Sequence, residues 1–407
     1  MSTLRRPALS DLADPAVLPD PYPVLAGLRE ASPFAELDGA FVVAAKHADC
    51  SAVLRHPNAS SERDKSLLTP QASRRRNRPS FLSLDPPDHT RLRRLVSKAF
   101  TPRVIARLEP RILAITTELL DAAAQASQFE VVSQLAYPLP VRIISEMLGV
   151  PVADHPRFAG WSARLAHSVQ PAFGLNTLEA QARVEAAQAA SDEFAEYFRE
   201  LIARRRANPA QDLLSDLIRA EDNGETLTED ELIATCVLLL VAGHETTVGL
   251  ISNAILALVR HPGQLALLQS SPQLAAAAVE ETLRYDAPVQ MTGRVVRGRM
   301  RVGDVSAPDG ALVLLLLAAA GRDPDAFDDP DRFNIKRGAT SHLAFAAGPH
   351  FCLGAPLARL EATIALAEFS RRVQSPDLHA GGLAYKPNLN LRGPERLVLD
   401  FASIRGS

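Results

Sequence analysis

One stretch of this 407-residue chain limits its fold more than any other. Thr228 is followed three residues later by Glu231, a pairing that satisfies two free backbone N–H groups at a helix start. The helix it opens runs through Glu245 to about Arg260 and stops before Pro262. At 1.5 Å per residue its roughly 30 residues reach about 45 Å, enough to cross a whole domain. Most of the remaining chain also has helical character. Residues 101–124 place Ile105, Leu108, Ile112, Ile115 and Leu119 on one face, with Pro110 expected to kink or split the helix. Residues 177–208 form another long stretch rich in Ala, Glu and Arg. Strand signals are few. Residues 34–37 and 40–44 flank Asp38-Gly39, a hairpin-turn pair. Further strands are expected at 293–302, 311–317, 383–385 and 396–401. The expectation is a mainly α fold with minor β sheets. It forms a single domain over 1–407, with a polar N-terminal segment at 1–19.

Bulk properties exclude several classes. There are 44 basic and 47 acidic residues, a formal net charge of −3, which argues against binding nucleic acid through bulk positive charge. Cys50, Cys236 and Cys352 are far apart and odd in number, with no CxxC or Cys/His zinc spacing. They fit a reducing cytoplasm rather than a disulfide framework. The apolar runs 237–242 and 312–320 are shorter than the ~18 residues that span a bilayer, and no signal-peptide core is present. No membrane anchor is expected, and the protein reads as a monomer.

The most specific chemistry lies in Phe345-Ala346-Ala347-Gly348-Pro349-His350-Phe351-Cys352-Leu353-Gly354. A cysteine in a glycine-rich loop just before a helix is suited to ligate haem iron through sulfur. Gly348 and Gly354 let the backbone approach a flat macrocycle. The helix starting near Ala355-Pro356 turns free N–H groups and a positive dipole end to the sulfur, which favours thiolate. This run resembles the haem-binding signature of the cytochrome P450 family, Phe-Gly-x-Gly-x-His/Arg-x-Cys-x-Gly. Five of the six fixed positions agree. Ala346 stands where the family usually has glycine, and Gly321-Arg322-Asp323 departs from a common Asn-Arg-Asp.

The resemblance covers nearly the whole chain and is to the soluble, bacterial-type members. It implies a triangular helical prism with haem b (iron protoporphyrin IX) between the long central helix and the helix after Cys352. Cys352 would be the iron ligand, with Phe345, Gly348 and Gly354 shaping its loop. In Ala242-Gly243-His244-Glu245-Thr246-Thr247, small residues at Ala242 and Gly243 would let a planar group and O2 pack against the helix. Glu245 and Thr246 agree with the family's acid–alcohol pair. The acid would relay protons, and the hydroxyl would hold dioxygen and a water. The haem carboxylates need cations and donors, since burying them unpaired is costly. His89 and Arg93, at i and i+4, share a helical face, and Arg294 and His350 complete the implied set. Arg91 and Arg94 point elsewhere and read as surface charge. Glu281 and Arg284, with Arg332 about 50 residues on, are implied to form an ion network that locks the loop before Cys352.

Five regions are implied to meet substrate. Their apolar residues include Leu82, Leu238, Val241, Ala242, Val289, Met291 and Leu389, with Phe81, Phe173 and Leu175 nearby. Gln170, Asn176, Gln290 and Asn388 could orient it. The substrate expected is an apolar natural product with some oxygens, of terpenoid, steroid or macrolide type. The basic run Arg74-Arg75-Arg76 with Arg78 falls in a pocket-lid loop and reads as solvated. A carrier-tethered or anionic substrate is the minor alternative. No flavin or iron–sulfur signature is present. Electrons would come from NAD(P)H through a ferredoxin reductase and a small acidic ferredoxin, docking at Arg103, Arg107, Arg111 and Arg359. The reading is a monooxygenase that hydroxylates or epoxidises. A peroxide-using or bond-forming relative and a catalytically silent auxiliary protein are the alternatives.

Overall fold

The computed structural model describes residues 7–69, 80–168, 177–222, 224–338 and 340–406. The central helix spans Glu229–Arg260, 32 residues. Its capping box is formed: the Thr228 N–H donates to Glu231 Oε2 at 2.9 Å, and the Glu231 N–H to Thr228 Oγ1 at 3.3 Å. Glu231 has a second task. Arg91, on the helix Asp88–Ala99, pairs with it, and Arg94 pairs with Glu225 at 3.1 Å. Arg91, expected as surface charge, therefore ties that helix to the start of the central one, while Arg94 stays exposed and pairs with the strand that precedes it.

From Leu232 to Val259 the central helix is buried on almost every side. The helices Pro138–Met147, Thr177–Ala207, Ala275–Tyr285 and Ala355–Arg372 pack around it and build the largest hydrophobic cluster. Among the described residues it is the one helix long and apolar enough to cross a membrane, and its position inside this core accounts for that apolarity. The 101–124 stretch is split as its proline requires. Pro102–Ala106 ends before Glu109–Ala123, and Pro110 lies in the first turn of the second helix, where its missing N–H has no intrahelical role.

The strands form small separate sheets. The largest has five strands in the order Phe34–Glu36, Phe41–Ala44, Leu312–Leu315, Thr292–Val296, Ala59–Ser60. Its only parallel pair joins Leu312–Leu315 to Phe41–Ala44. The hairpin expected at Asp38-Gly39 has a wider end than a two-residue turn. Leu37, Asp38 and Gly39 take φ of 52°, 53° and 86° in a 3₁₀ turn, and pairing closes at Glu36 opposite Phe41. The strand expected over 293–302 is two strands in different sheets. Gly298, at φ 76°, turns the chain between Thr292–Val296 and Met300–Val302. Asp377–Tyr385 and Pro394–Asp400 form a hairpin extended by Phe129–Glu130.

A buried polar knot fastens the N-terminal segment to this frame. The Tyr22 hydroxyl donates to Asp286 at 2.8 Å, and Arg392 Nε donates to the same carboxylate at 2.6 Å. Arg392 also reaches the carbonyls of Leu18 and Pro19. The Arg322 guanidinium lies 3.3 Å and 3.8 Å from the ring centroids of Tyr22 and Tyr285. Gly321 explains the departure from Asn-Arg-Asp: a Cβ there would lie 2.3 Å from the carbonyl oxygen of Arg284.

Glu361, on the helix Ala355–Arg372, is 1% exposed, and its Oε2 has no hydrogen-bond partner. Burial raises its pKa to about 8. Because the folded-state pKa lies above that of the exposed acid, the penalty is absent below about pH 4, grows as pH rises, and levels off above about 8. Glu361→Gln should therefore raise the melting temperature by an amount that increases between these limits. A gain that is flat with pH, or a loss, would contradict a neutral buried acid.

Candidate active site

The central helix has one uncovered face. Leu238, Val241, Ala242, Glu245 and Thr246 follow the i, i+3, i+4, i+7, i+8 spacing of a single stripe, and all keep accessible surface while most of their neighbours are buried. Gly243 has room for a Cβ, the nearest atom being Ile144 Cγ1 at 3.7 Å, so protein packing does not demand its small size.

The Cys352 loop is shaped by local strain and crowding. Gly348 has φ 70°, and a Cβ there would lie 2.5 Å from the carbonyl of Leu54, so only glycine fits. Ala346 has φ 58°, a left-handed conformation that costs an alanine roughly 1–2 kcal/mol. That is the position where glycine is usual. The Cys352 N–H donates to the Phe345 carbonyl at 3.0 Å, closing the loop. The Cys352 thiol is exposed, whereas Cys50 and Cys236 are buried. Burial of the surrounding site raises its pKa, against the N–H groups of Gly354 and Ala355 and the guanidinium groups of Arg93 and Arg359. The helix start alone therefore does not produce the expected thiolate. A metal ion at the sulfur would, because coordination displaces the proton.

Beside this loop is a positive cluster. His89 is 2% exposed, and neither ring nitrogen has a partner. Its ring lies 4.0 Å, centroid to centroid, from that of His350. The His350 pKa is lowered to about 3, first by burial and then by His89, Arg294 and other nearby groups. Arg93 donates to the Phe351 carbonyl. Arg294 is buried, and burial together with the charge of Arg63 lowers its pKa to about 10. Arg63, which the sequence reading missed, brings Nη2 to 3.5 Å from Thr292 Oγ1, and Arg294 Nη1 reaches the same oxygen at 3.4 Å. Among the described residues, none of Arg63, Arg93 and Arg294 has a carboxylate within ion-pair distance. Asp85, the acid nearest in electrostatic effect, is engaged by Ser60, Ser61 and Arg297. Like charges gathered in this way, with an orphaned buried imidazole among them, fit a ligand that carries carboxylates.

The ion network differs from the expected one. Arg284 makes a bidentate pair with Glu281, both bonds 2.8 Å, with both side chains essentially inaccessible. The second cation on Glu281 is Arg337, whose Nε lies 3.2 Å and 3.1 Å from the two oxygens. Arg332 does not join through its side chain, which is 67% exposed. Its carbonyl accepts from Arg284 and Arg337 instead. With Arg284 bound also to the carbonyls of Gly321 and Pro330, and Arg337 to those of Asp328 and Asp329, the two cations clamp the backbone leading to the Cys352 loop.

The acid–alcohol pair is present but not joined. Thr246 Oγ1 donates to the Ala242 carbonyl at 2.8 Å, as its helical position allows. Glu245 Oε2 accepts from Lys386 Nζ at 2.7 Å, and Oε1 lies 3.6 Å from His244 Nε2. Burial would raise the Glu245 pKa, but His244 and Lys386 together bring it down to about 2. Lys386, distant in sequence, was not singled out by the sequence reading.

The expected substrate contacts divide. Leu238, Val241 and Ala242 lie on the open helical face, Leu82 is exposed on the turn Phe81–Ser83, and Val289 is half-buried. Met291 is core: it is 4% exposed and packs with Leu9, Leu12, Tyr22 and Leu25, because the segment before the strand Thr292–Val296 backs onto the N-terminal helices. Leu389 packs against that same cluster while staying partly exposed. Gln290 Nε2 donates to the Ala287 carbonyl, and Asn388 Oδ1 accepts from the N–H groups of Asn390 and Leu391, so one end of each amide is engaged by backbone. Gln170, Phe173, Leu175, Asn176, Arg74, Arg75, Arg76 and Arg78 lie outside the described residues.

With this geometry in place, comparison with known proteins is direct. The family model described as Cytochrome P450 matches residues 38–374. Cytochrome P450 107B1 of Saccharopolyspora erythraea is 46% identical over 324 residues, 78% of this chain and 76% of its own. Vitamin D(3) 25-hydroxylase of Pseudonocardia autotrophica is 38% identical over 387 residues, 93% of each chain. The crystal structure of Mycobacterium smegmatis CYP164A2 in its ligand-free state aligns with a TM-score of 0.90 at 48% identity, covering 96% of this chain and 99% of that one. The chain belongs to the cytochrome P450 family of haem-dependent monooxygenases, which use O2 and reducing equivalents.

The two arginines of the ion network make separable predictions. Arg337→Ala should destabilise the folded protein by about 2 kcal/mol, since it removes the second of two cations on a buried carboxylate and frees three backbone carbonyls. Arg332→Ala should cost less than about 0.5 kcal/mol, as for other exposed side chains. Chemical denaturation of the two variants checks this; equal losses would restore the side chain of Arg332 to the network.

Proposed function

We propose that the whole chain, as one domain, is a monooxygenase that converts a C–H bond of an apolar substrate, with O2, two electrons and two protons, into an alcohol and water. The observation that carries this reading is the accessible Cys352 in its glycine-shaped loop, beside an orphaned buried imidazole and arginines that, among the described residues, have no carboxylate within ion-pair distance.

Iron protoporphyrin IX suits that place. Cys352 would supply the iron ligand, and Phe345, Gly348 and Gly354 set the loop that presents it. His89, Arg93, Arg294 and His350, with Arg63 added, would bind its two carboxylates. When bound, the group supplies dioxygen activation, and the thiolate's electron donation favours O–O cleavage. The residues of this chain do the rest. Ala242 and Gly243 keep the helix low enough for a flat ligand. Glu245 would move protons from the solvent side of the helix, and Thr246 would hold a water or dioxygen by its hydroxyl. Leu238, Val241, Leu82 and Val289 would exclude water and hold an apolar substrate. Vitamin D3, named as the substrate of one relative, is a largely hydrocarbon molecule of this kind.

Reducing equivalents would pass from NAD(P)H through a reductase to a ferredoxin in the cytoplasm, where the unpaired state of the three cysteines is stable. Of the four arginines expected to receive the ferredoxin, two are already engaged. Arg111 pairs with Glu146, and Arg359 pairs with Glu280 while stacking on Phe345. Arg103 and Arg107 are exposed and better suited to the task.

Two measurements test this function. The reduced, carbon-monoxide-bound protein should show the strongly red-shifted Soret band of thiolate-ligated haem. Cys352→Ser should lose both band and turnover, and a serine variant that keeps them would overturn the ligand assignment. Replacing Arg103 and Arg107 by glutamate should lower ferredoxin-supported turnover several-fold at low salt, with the gap closing at high salt. An unchanged rate at low salt would place docking elsewhere.

A further inference from the structure

Glu245 and Thr246 are neighbours in sequence, yet each is bound to something else. The hydroxyl is turned to Ala242, and the carboxylate to Lys386. Lys386 does not belong to the central helix or to any helix packed on it. It opens the turn after the strand Asp377–Tyr385, and its own N–H donates to the Gly393 carbonyl at 3.2 Å. That turn is stitched to the 288–292 segment. The Gln290 N–H donates to Asn390, the Arg392 N–H donates to Pro288, and Val289 bridges Leu391. Leu389 lies within it, and Val289, an expected substrate contact, lies on the segment it is stitched to. A displacement of this turn would therefore pull on the ammonium that holds the acid.

Three elements face the Glu245 carboxylate. His244 is on its own helix, Lys386 is on the turn, and Tyr137, whose ring packs edge-on against His244 at 6.0 Å, precedes the helix Pro138–Met147. Of these, only Lys386 makes a short charged bond to it, and the pair is largely shielded, with 26% and 15% of the two side chains exposed. A relay must bind a proton from solvent and then lose one toward Thr246. An ammonium 2.7 Å away opposes the first half of that cycle and engages the carboxylate while the hydroxyl is bonded to Ala242.

We propose that Lys386 is a latch on Glu245: it keeps the acid ionised and turned from Thr246 until the 386–391 turn shifts against a bound substrate, so that proton delivery is tied to occupancy of the pocket. This rests on Glu245 being the proton relay. Lys386 is a positioning residue, acting through Glu245 rather than on the reacting atoms.

Infrared pH-difference spectroscopy of the haem-loaded protein reads the latch without turnover. The wild type should show no protonated-carboxyl signal from Glu245 between about pH 5 and 8, because its acid form is too rare there. Lys386→Met should gain such a signal within this window, Lys386→Met/Glu245→Gln should lose it, and Lys386→Arg should return to the wild-type spectrum. Substrate-free consumption of NADH, with a ferredoxin and its reductase, is the second readout. Lys386→Met should raise it about three- to tenfold if proton delivery limits it, and the double variant should return it to the wild-type rate. A Lys386→Met protein with no new carboxyl signal, or with one but no faster consumption, would overturn the latch. Faster consumption that persists in the double variant would instead show that protons bypass Glu245, and the relay reading itself would fall.

Discussion

A helix that is apolar on every side has to be enclosed on every side. From Leu232 to Val259 the central helix presents buried residues almost without interruption, and four helices close around it. The one stripe they leave open runs from Leu238 to Thr246. The site is therefore not an addition to the fold. It is the place where the core packing stops, and the chain around it must supply whatever the missing protein neighbour would have supplied. An accessible cysteine in its loop and the small side chains of Ala242 and Gly243 suit a flat ligand of low polarity.

Electrostatics around that opening work against the protein alone. Three guanidinium groups and two imidazoles gather without a carboxylate in contact, burial drives the imidazoles neutral, and the thiol is held above its usual range. Each of these penalties would be relieved by a metal complex with two carboxylates, since the cation would neutralise the sulfur and the anions the arginines. The Glu281–Arg284–Arg337 clamp matters for the same reason: it fixes the backbone before the loop, so that Cys352 is already in place.

Much of this was legible from short-range pattern. The capping residues and Pro262 bracketed the central helix, Pro110 marked the helix break, and the spacing of His89 and Arg93 placed both on one side of their helix. What escaped were partners chosen over long separations. Arg337 took the place expected for Arg332, although both follow the same loop, because the backbone turns the Arg332 side chain to solvent and leaves only its carbonyl inside. Met291 reads as a pocket residue by position, but its side chain packs against the N-terminal helices. Gln290 and Asn388 look free to orient a ligand, yet tight turns need their amides for otherwise unsatisfied backbone groups.

By itself, the sequence determined the features that depend on a few consecutive residues: where helices start and stop, which positions need glycine, which side chains share a helical face, and the thiol-bearing loop that marks the family. Those follow from dihedral limits and the 3.6-residue period, which act locally. Only the tertiary structure decided which charges meet. Lys386 lies 141 residues from Glu245, and Arg63 approaches Thr292 from 229 residues away. Hydrogen bonds and ion pairs act over a few ångströms, so their partners are settled only when the folded backbone brings distant side chains within that reach.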